Sequence, residues 1–222
     1  MNIIVIPARS GSIRIKNKNI VLIKKKPLIK IILDKIEKAN LFTKIFVSTD
    51  SPKILSLVKK YKKIEGIKRP KKLAKSNSKI EDALLHVLTK TDTNVNKIKW
   101  IVTIQPNSPF LTVNTIKKIL NLIKKNTKFN VIMTTTENRA DLWIKKKDKS
   151  ITRLFSKAPR SSQKRIPIHE ENSAVYATRV KHLLSSNKIF DKNVLPVPIS
   201  KIEGMDINDS IDLKIAKSLM GC

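Results

Sequence analysis

The chain of 222 residues is 41% hydrophobic, and about 90 apolar side chains are enough for one globular domain and too many for a disordered one. Ten Pro and only 4 Gly exclude collagen-like or low-complexity architecture, and a lone cysteine, Cys222, excludes an internal disulfide and fits a reducing compartment. Lys and Arg number 47 against 17 Asp and Glu, a formal charge of +30, while no apolar run nears the ~18–20 residues of a membrane helix.

Strand-like and helix-like segments alternate from the first residue. Asn2–Ile6 is a short apolar run of the buried parallel-strand type. It leads into Pro-Ala-Arg rather than a small-residue cleavage site, so it does not read as a signal peptide, and a soluble, cytoplasmic chain is expected. After the polar stretch Ala8–Asn19, apolar residues at helical spacing predict a helix over Pro27–Asn40. Lys44–Ser48 reads as a strand, and Ser51 caps a following helix with Pro52 at its first position. Ser78–Thr89 is helical, Ile98–Ile104 a strand, Thr112–Lys125 a helix with Thr112 as cap, and Asn130–Thr135 a strand. From Thr136 to Pro167 the pattern is charged and without period, which reads as an irregular protruding arm. A strand at Ser173–Thr178, a helix at Val180–Ser185, a strand at Val194–Val197 and a helix from Ser210 to Leu219 complete the chain. No repeat or long linker divides residues 1–222, so a single domain is predicted.

Such alternation requires right-handed crossovers and a mainly parallel sheet covered on both faces, an α/β fold. Ligands of these sheets bind beyond the carboxyl ends of the strands. Four loops should share that rim: Ala8–Asn19, Thr49–Ser51, Gln105–Leu111 and Met205–Asn208. The first carries Arg9, Arg14, Lys16 and Lys18 beside Gly11 and Ser12, and cations with backbone donors at a strand end are what a triphosphate needs. Neither G-x-G-x-x-G nor G-x-x-x-x-G-K-[ST] occurs, which argues against a dinucleotide dehydrogenase and a Walker-type ATPase. The overall positive charge has a different reading. Of the 47 basic residues 39 are Lys, and Ile numbers 33, a bias expected of AT-rich coding at positions where only charge or bulk matters. Phosphate or base recognition favours Arg, and aromatics are only 5%, so nucleic acid is an improbable partner.

The first loop resembles the nucleotide-binding signature P-A-R-x-G-S-K-x-x-x-x-K-N of the acylneuraminate cytidylyltransferases. Five further matches follow in order: Val47-Ser48-Thr49-Asp50; Arg69-Pro70 with Leu73-Ala74; Gln105-Pro106-Asn107-Ser108-Pro109; Glu171-Asn172-Ser173-Ala174-Val175-Tyr176; and Asp206-Ile207-Asn208 with Asp212. The resemblance implies a nucleotide-sugar transferase of Rossmann-like fold that moves CMP from CTP to the anomeric hydroxyl of a nine-carbon acidic keto sugar, releasing pyrophosphate. It implies that Ala8, Arg9, Ser12, Arg14, Lys18, Asn19, Arg69 and Ser78 hold the nucleotide, with Arg9, Lys18 and Asp206 central to catalysis. Gln105, Asn107, Ser108, Arg165 and Tyr176 would then face the sugar, Arg165 as a partner for its carboxylate. Asp206, with Asn208, would hold Mg²⁺ or Mn²⁺, and the 136–167 arm would form a homodimer in which Arg160 or Arg165 acts across the interface.

Three positions depart from the family pattern. Ile13 stands where Lys is usual, Asn208 where a second Asp often occurs, and Ser173 where Gly is usual. The related 3-deoxy-manno-octulosonate cytidylyltransferases close their first loop with Lys-Pro, so Lys18-Asn19 speaks against that activity. Other readings of single residues stand beside these. Asp209 and Asp212 suit the cap and third position of the last helix; Asp50 suits either a helix cap or the nucleotide; Tyr176 suits either packing or the sugar pocket. His86, His169 and His182 lack metal-ligand spacing; His86 reads as packing or surface, and His169 is the one placed to touch the sugar. Trp100 belongs in the core and Trp143 at a contact surface.

Overall fold

The computed structural model describes residues 1–39, 41, 43–125 and 128–221. Seventeen elements follow in chain order, apart from short 3₁₀ turns: β1 (Asn2–Pro7), β2 (Leu22–Ile23), β3 (Lys26–Pro27), α1 (Leu28–Lys38), β4 (Lys44–Thr49), α2 (Pro52–Val58), β5 (Ile64–Lys68), α3 (Ile80–Lys90), β6 (Trp100–Ile104), α4 (Val113–Lys124), β7 (Val131–Asn138), β8 (Trp143–Lys145), β9 (Ile151–Arg153), β10 (Ile168–Arg179), α5 (Val180–Ser186), β11 (Val194–Ile199) and α6 (Ser210–Leu219). Seven strands form one sheet in the order β11-β7-β10-β6-β1-β4-β5. All but β10 run parallel; β10 is antiparallel to both β6 and β7.

Burial explains the alternation read in the sequence. Along β1, Ile4 and Ile6 face α1, α2 and α4, packing near Ile32, Ile54 and Ile119, while Ile3 and Val5 face α3 and α5 near Leu84, Val87 and Leu183. A strand buried on both faces has no polar side, hence the unbroken apolar run. α6 lies apart, its Ala216 packing with Ile207, Leu28 and Ile23 of the β2–β3 hairpin. Caps match the sequence where they have side chains: Ser51 accepts from the Ile54 amide with Pro52 behind it, Thr112 accepts from Thr115, and Asp209 with Asp212 forms a complete capping box. Asn40, the expected end of the first helix, and Cys222 lie outside the described residues.

Four differences from the sequence reading matter. β5 and the β2–β3 hairpin were not expected, and the hairpin turns through Lys24 and Lys25 at φ 48° and 60°. The 136–167 segment is partly ordered: β7 continues to Asn138, and β8 and β9 form a small hairpin of their own. β10 starts at Ile168 rather than Ser173, with a bulge between Glu171 and Tyr176. Among the described residues no helix is long and apolar enough to cross a membrane.

Candidate active site

A cavity of about 270 Å³ opens where β1 and β6 end, lined by the Pro7–Asn19 loop, Gln105-Pro106-Asn107 and Asn208. Three of the expected rim loops thus converge on one space, and the fourth, Thr49–Ser51, secures the first from behind. Asp50 accepts both the Ser10 amide (2.7 Å) and the Ser10 hydroxyl (2.5 Å). Burial works against the charged Asp50, but the Ser10 hydrogen bonds, aided by Arg69, outweigh it and hold the carboxyl below its ordinary range. Asp50 is therefore neither a helix cap nor a cavity group; it staples the loop to the end of β4.

Arg9, Arg14 and Lys18 bring three cations to the cavity beside Gly11 and Ser12, and no carboxylate lines it. Gly11 does not serve a left-handed turn, and a Cβ there would meet nothing nearer than 3.9 Å. Asn19 closes the loop by donating to the Arg9 carbonyl at 3.0 Å. Arg14 lines the space beside Ile13, whereas Lys16 does not. Lys18 reaches across to donate to the Ile207 carbonyl at 2.8 Å. Burial depresses its ammonium pKa, and Arg14 and Arg9 add to this, while Asp206 and Asp212 act in the opposite sense.

Opposite the loop, Ile207 donates its amide to the Asn107 carbonyl at 2.8 Å, which joins the two distant segments. Asp206 accepts from Asn208 Nδ2 at 2.7 Å and from Asn107 Nδ2 at 3.4 Å, both on Oδ2. Among the described residues nothing hydrogen-bonds its Oδ1, and no cluster of three or more acidic, His or Cys side chains gathers there. One open carboxylate oxygen near the amide of Asn208 suits a hard divalent cation that takes its remaining ligands from phosphate and water.

The other expected residues lie outside this lining. Ala8 is buried and ties its amide to the Ser48 carbonyl. Arg69 is also buried, its guanidinium donating to Ser48 Oγ (3.0 Å) and the Ser48 carbonyl (2.8 Å). Burial brings its pKa down to about 10, with Asp50 resisting and Arg9 contributing, so it stays charged beneath the loop. Ser78 gives its hydroxyl to the Lys72 carbonyl. Ser108 is fully buried in the Gln105–Leu111 turn, and its hydroxyl has no partner among the described residues. Arg165 is held within the arm: it donates to the carbonyls of Arg139, Pro159 and Arg160 and approaches Asp141, which also pairs with Arg153. Tyr176 is buried edge-on against Phe190 (centroids 5.5 Å apart) and donates its hydroxyl to Glu171. Trp100 is core, as expected, and Trp143 is exposed. His169 pairs with Thr135, His182 with the Phe190 carbonyl, and His86 sits on α3 with Nδ1 buried.

A cavity lined by Arg9, Arg14 and Lys18 beside Gly11 and Ser12 has the charge to receive an anion. Residues 3–202 match a protein family described as cytidylyltransferase. The chain belongs to that family. An N-acylneuraminate cytidylyltransferase of Escherichia coli is 28% identical over 218 residues, 96% of this chain and 51% of that protein, so the chain spans about half the length of this relative. A CMP-N,N'-diacetyllegionaminic acid synthase of Legionella pneumophila is 26% identical over 221 residues, 97% of this chain and 94% of that one. Among solved structures, a CMP:2-keto-3-deoxy-manno-octonic acid synthetase complexed with CTP superposes with a TM-score of 0.73 at 17% identity, over 99% of this chain and 98% of that chain, which speaks to fold alone. Sequence reasoning missed Asp50, Ser10 and the Ile207 carbonyl as organisers of the site, since each acts through a contact far along the chain.

Proposed function

We propose that the chain transfers a cytidylyl group from CTP to the anomeric hydroxyl of a nine-carbon acidic keto sugar. The sugar oxygen forms a bond to the α-phosphorus, the α–β anhydride breaks, pyrophosphate leaves, and the hydroxyl proton is released. The convergence of Arg9, Arg14 and Lys18 on one cavity carries this reading. Phosphoryl chemistry asks the protein mainly for position and charge, and these side chains supply both. Arg9 and Arg14 grip the triphosphate, Ser12 and the loop amides donate to its oxygens, and Lys18 neutralises charge on the departing pyrophosphate. Gln105 and Asn107, which also line the cavity, would face the sugar. Asp206 and Asn208 would hold Mg²⁺, which when bound would supply neutralisation of phosphate charge. The names of the two bacterial relatives support a nine-carbon acid as acceptor. Pyrophosphate release from CTP and Mg²⁺ with a panel of keto-sugar acids tests it. N-acetylneuraminate, legionaminate or pseudaminate should trigger release; release with none of them, or only with the eight-carbon octulosonate, overturns the assignment.

We also infer a homodimer built through the arm. Leu142, Trp143, Ile144, Ile151, Leu154 and Phe155 leave large apolar surfaces exposed on and beside the β8–β9 hairpin, more than an isolated small hairpin can cover. The solution mass from light scattering should be twice that of one chain, and a single-chain mass would overturn this inference.

A further inference from the structure

The turn that brings Gln105 and Asn107 to the cavity is weakly held by its own backbone. Its two internal hydrogen bonds are long, 3.4 Å from the Ser108 amide to the Gln105 carbonyl and 3.3 Å from the Leu111 amide to the Ser108 carbonyl. Pro106 and Pro109 have no amide hydrogen to donate, and the buried Ser108 hydroxyl has no partner among the described residues. Pro106, Ser108, Pro109 and Leu111 are nonetheless buried, and a buried carbonyl without a partner is costly.

The contacts that shape this turn come from other elements, and each is shorter than the internal bonds. Gln105 donates its amide to the Ala174 carbonyl at 3.0 Å, and the Asn107 carbonyl accepts the Ile207 amide at 2.8 Å. From α1, the partly buried Lys35 ammonium donates to the carbonyls of Pro109 (2.7 Å) and Leu111 (2.9 Å). At the exit, Glu203 Oε1 accepts from the Thr112 amide (2.9 Å) and the Thr112 hydroxyl (2.7 Å). Glu203 shortly precedes Asp206, so the exit of the turn is joined to the same segment that Asn107 holds at Ile207. Burial lowers the Lys35 pKa, and Glu203 is the charge that acts in the opposite sense.

We propose that Lys35 is a positioning residue. With Glu203 it clamps the 105–112 turn, and through that turn it sets Gln105 and Asn107 in the cavity and the Asp206 segment beside them. The kinetic consequence rests on the proposed sugar transfer. Lys35 is not part of the cavity lining, so it acts through the turn. A charged donor makes the stronger kind of hydrogen bond, and an ammonium has hydrogens enough for both carbonyls. The cationic loop has its own anchors, Asp50 on Ser10 and Asn19 on the Arg9 carbonyl, so a loosened turn spares the nucleotide.

Lys35→Met, Lys35→Arg and Glu203→Ala test this in the whole chain. Methionine keeps helix propensity and donates nothing, whereas arginine offers donors again. Small misplacements far from the chemistry can cost ~100-fold, so kcat/KM for the keto-sugar acid in Lys35→Met should fall about ten- to a hundredfold. Kd for CTP should stay within about threefold of the parent, and Lys35→Arg should return kcat/KM to within about threefold. Glu203→Ala should show the same split, and it decides the matter alone where Lys35→Met does not fold. A merely structural role predicts a lower melting temperature with unchanged kinetics below it. Hydrogen–deuterium exchange reads the joint without turnover. In Lys35→Met and Glu203→Ala the Ile207 amide should exchange at least about fivefold faster, while amides of β1 and β6 keep the parent's rates. An unchanged Ile207 amide, an unaltered sugar kcat/KM, a CTP Kd that weakens in step with it, or an arginine that restores nothing each overturns the proposal. A parent that binds CTP yet turns over no keto-sugar acid, with Ile207 exchange responding as expected, overturns the proposed transfer instead.

Discussion

Asp206→Ala should lower turnover about a thousandfold or more and leave the fold in place. Losing one preorganised charge at a transition state typically costs ~10²–10³ in rate, and loss of a metal anchor exceeds that. The fold should survive because the segment is held by backbone bonds: Ile207 donates to the Asn107 carbonyl, and the adjoining helix α6 has its own capping box. The carboxylate contributes only the two amide contacts from Asn107 and Asn208. Removing it also leaves Asp212 alone to offset Arg14 and Arg9 at Lys18. Asp206 counters the depression of the Lys18 pKa by burial, so its loss lowers that pKa further. Lys18 then sheds its proton at lower pH, and the alkaline limb of kcat/KM for CTP in the residual activity should move to lower pH. Asp206→Asn should shift the limb in the same direction, since it removes the same charge. Steady-state kinetics across pH, with circular dichroism as the check on folding, decide the matter. Activity within tenfold of the parent would move the metal to other residues, and an alkaline limb that stays put would show Lys18 to be electrostatically independent of Asp206.

The contrast between what could be read in the sequence and what could not follows from where the information sits. β1, β4 and β6 are unbroken apolar runs because both faces are buried, and they are unmistakable. β5 was missed because it is the sheet's edge: Ile64 and Ile67 are buried, but Glu65, Gly66 and Lys68 are exposed, which leaves neither a continuous run nor a strict alternation. The start of β10 was missed for a similar reason. His169, Glu170 and Glu171 pair only with β7 and are polar and exposed. The cationic loop and the Gln105–Asn107 turn were legible because each is a contiguous motif at the end of a strong strand. The joints between them were not. Lys18 meets the Ile207 carbonyl 189 positions away, and Asp50 meets Ser10 40 positions away, contacts that no local pattern encodes. For Arg165 the sequence shows a type suited to a sugar carboxylate and not its neighbours: in the folded chain three carbonyls and Asp141 hold its guanidinium within the arm.

Gly204→Ala should destabilise the chain by about 2–4 kcal/mol, although the residue looks like an ordinary turn glycine. The added methyl would lie 2.7 Å from both Asn172 Nδ2 and Thr136 Oγ1, and 3.2 Å from Asn172 Cβ. Those first two atoms are hydrogen-bonded to each other at 3.1 Å, so the methyl would wedge into the bond itself. Moving the asparagine aside is expensive because its carbonyl oxygen accepts from Thr134 Oγ1 at 2.7 Å and from the Ala174 amide at 3.3 Å. Overpacking typically costs ~1–3 kcal/mol, and a buried amide left without its partner costs a similar ~1–3 kcal/mol. Relief should come from the other side of the clash. Thr136→Ala removes one of the two obstructing atoms, so the double variant Gly204→Ala/Thr136→Ala should lose less than the sum of the single changes. Urea unfolding reads this as a lower midpoint with an unchanged slope. A loss below about 1 kcal/mol for Gly204→Ala would mean that the 200–204 turn can shift away from the bulge. The backbone leading to Asp206 would then owe its position to Ile207 and Asn107 rather than to Asn172.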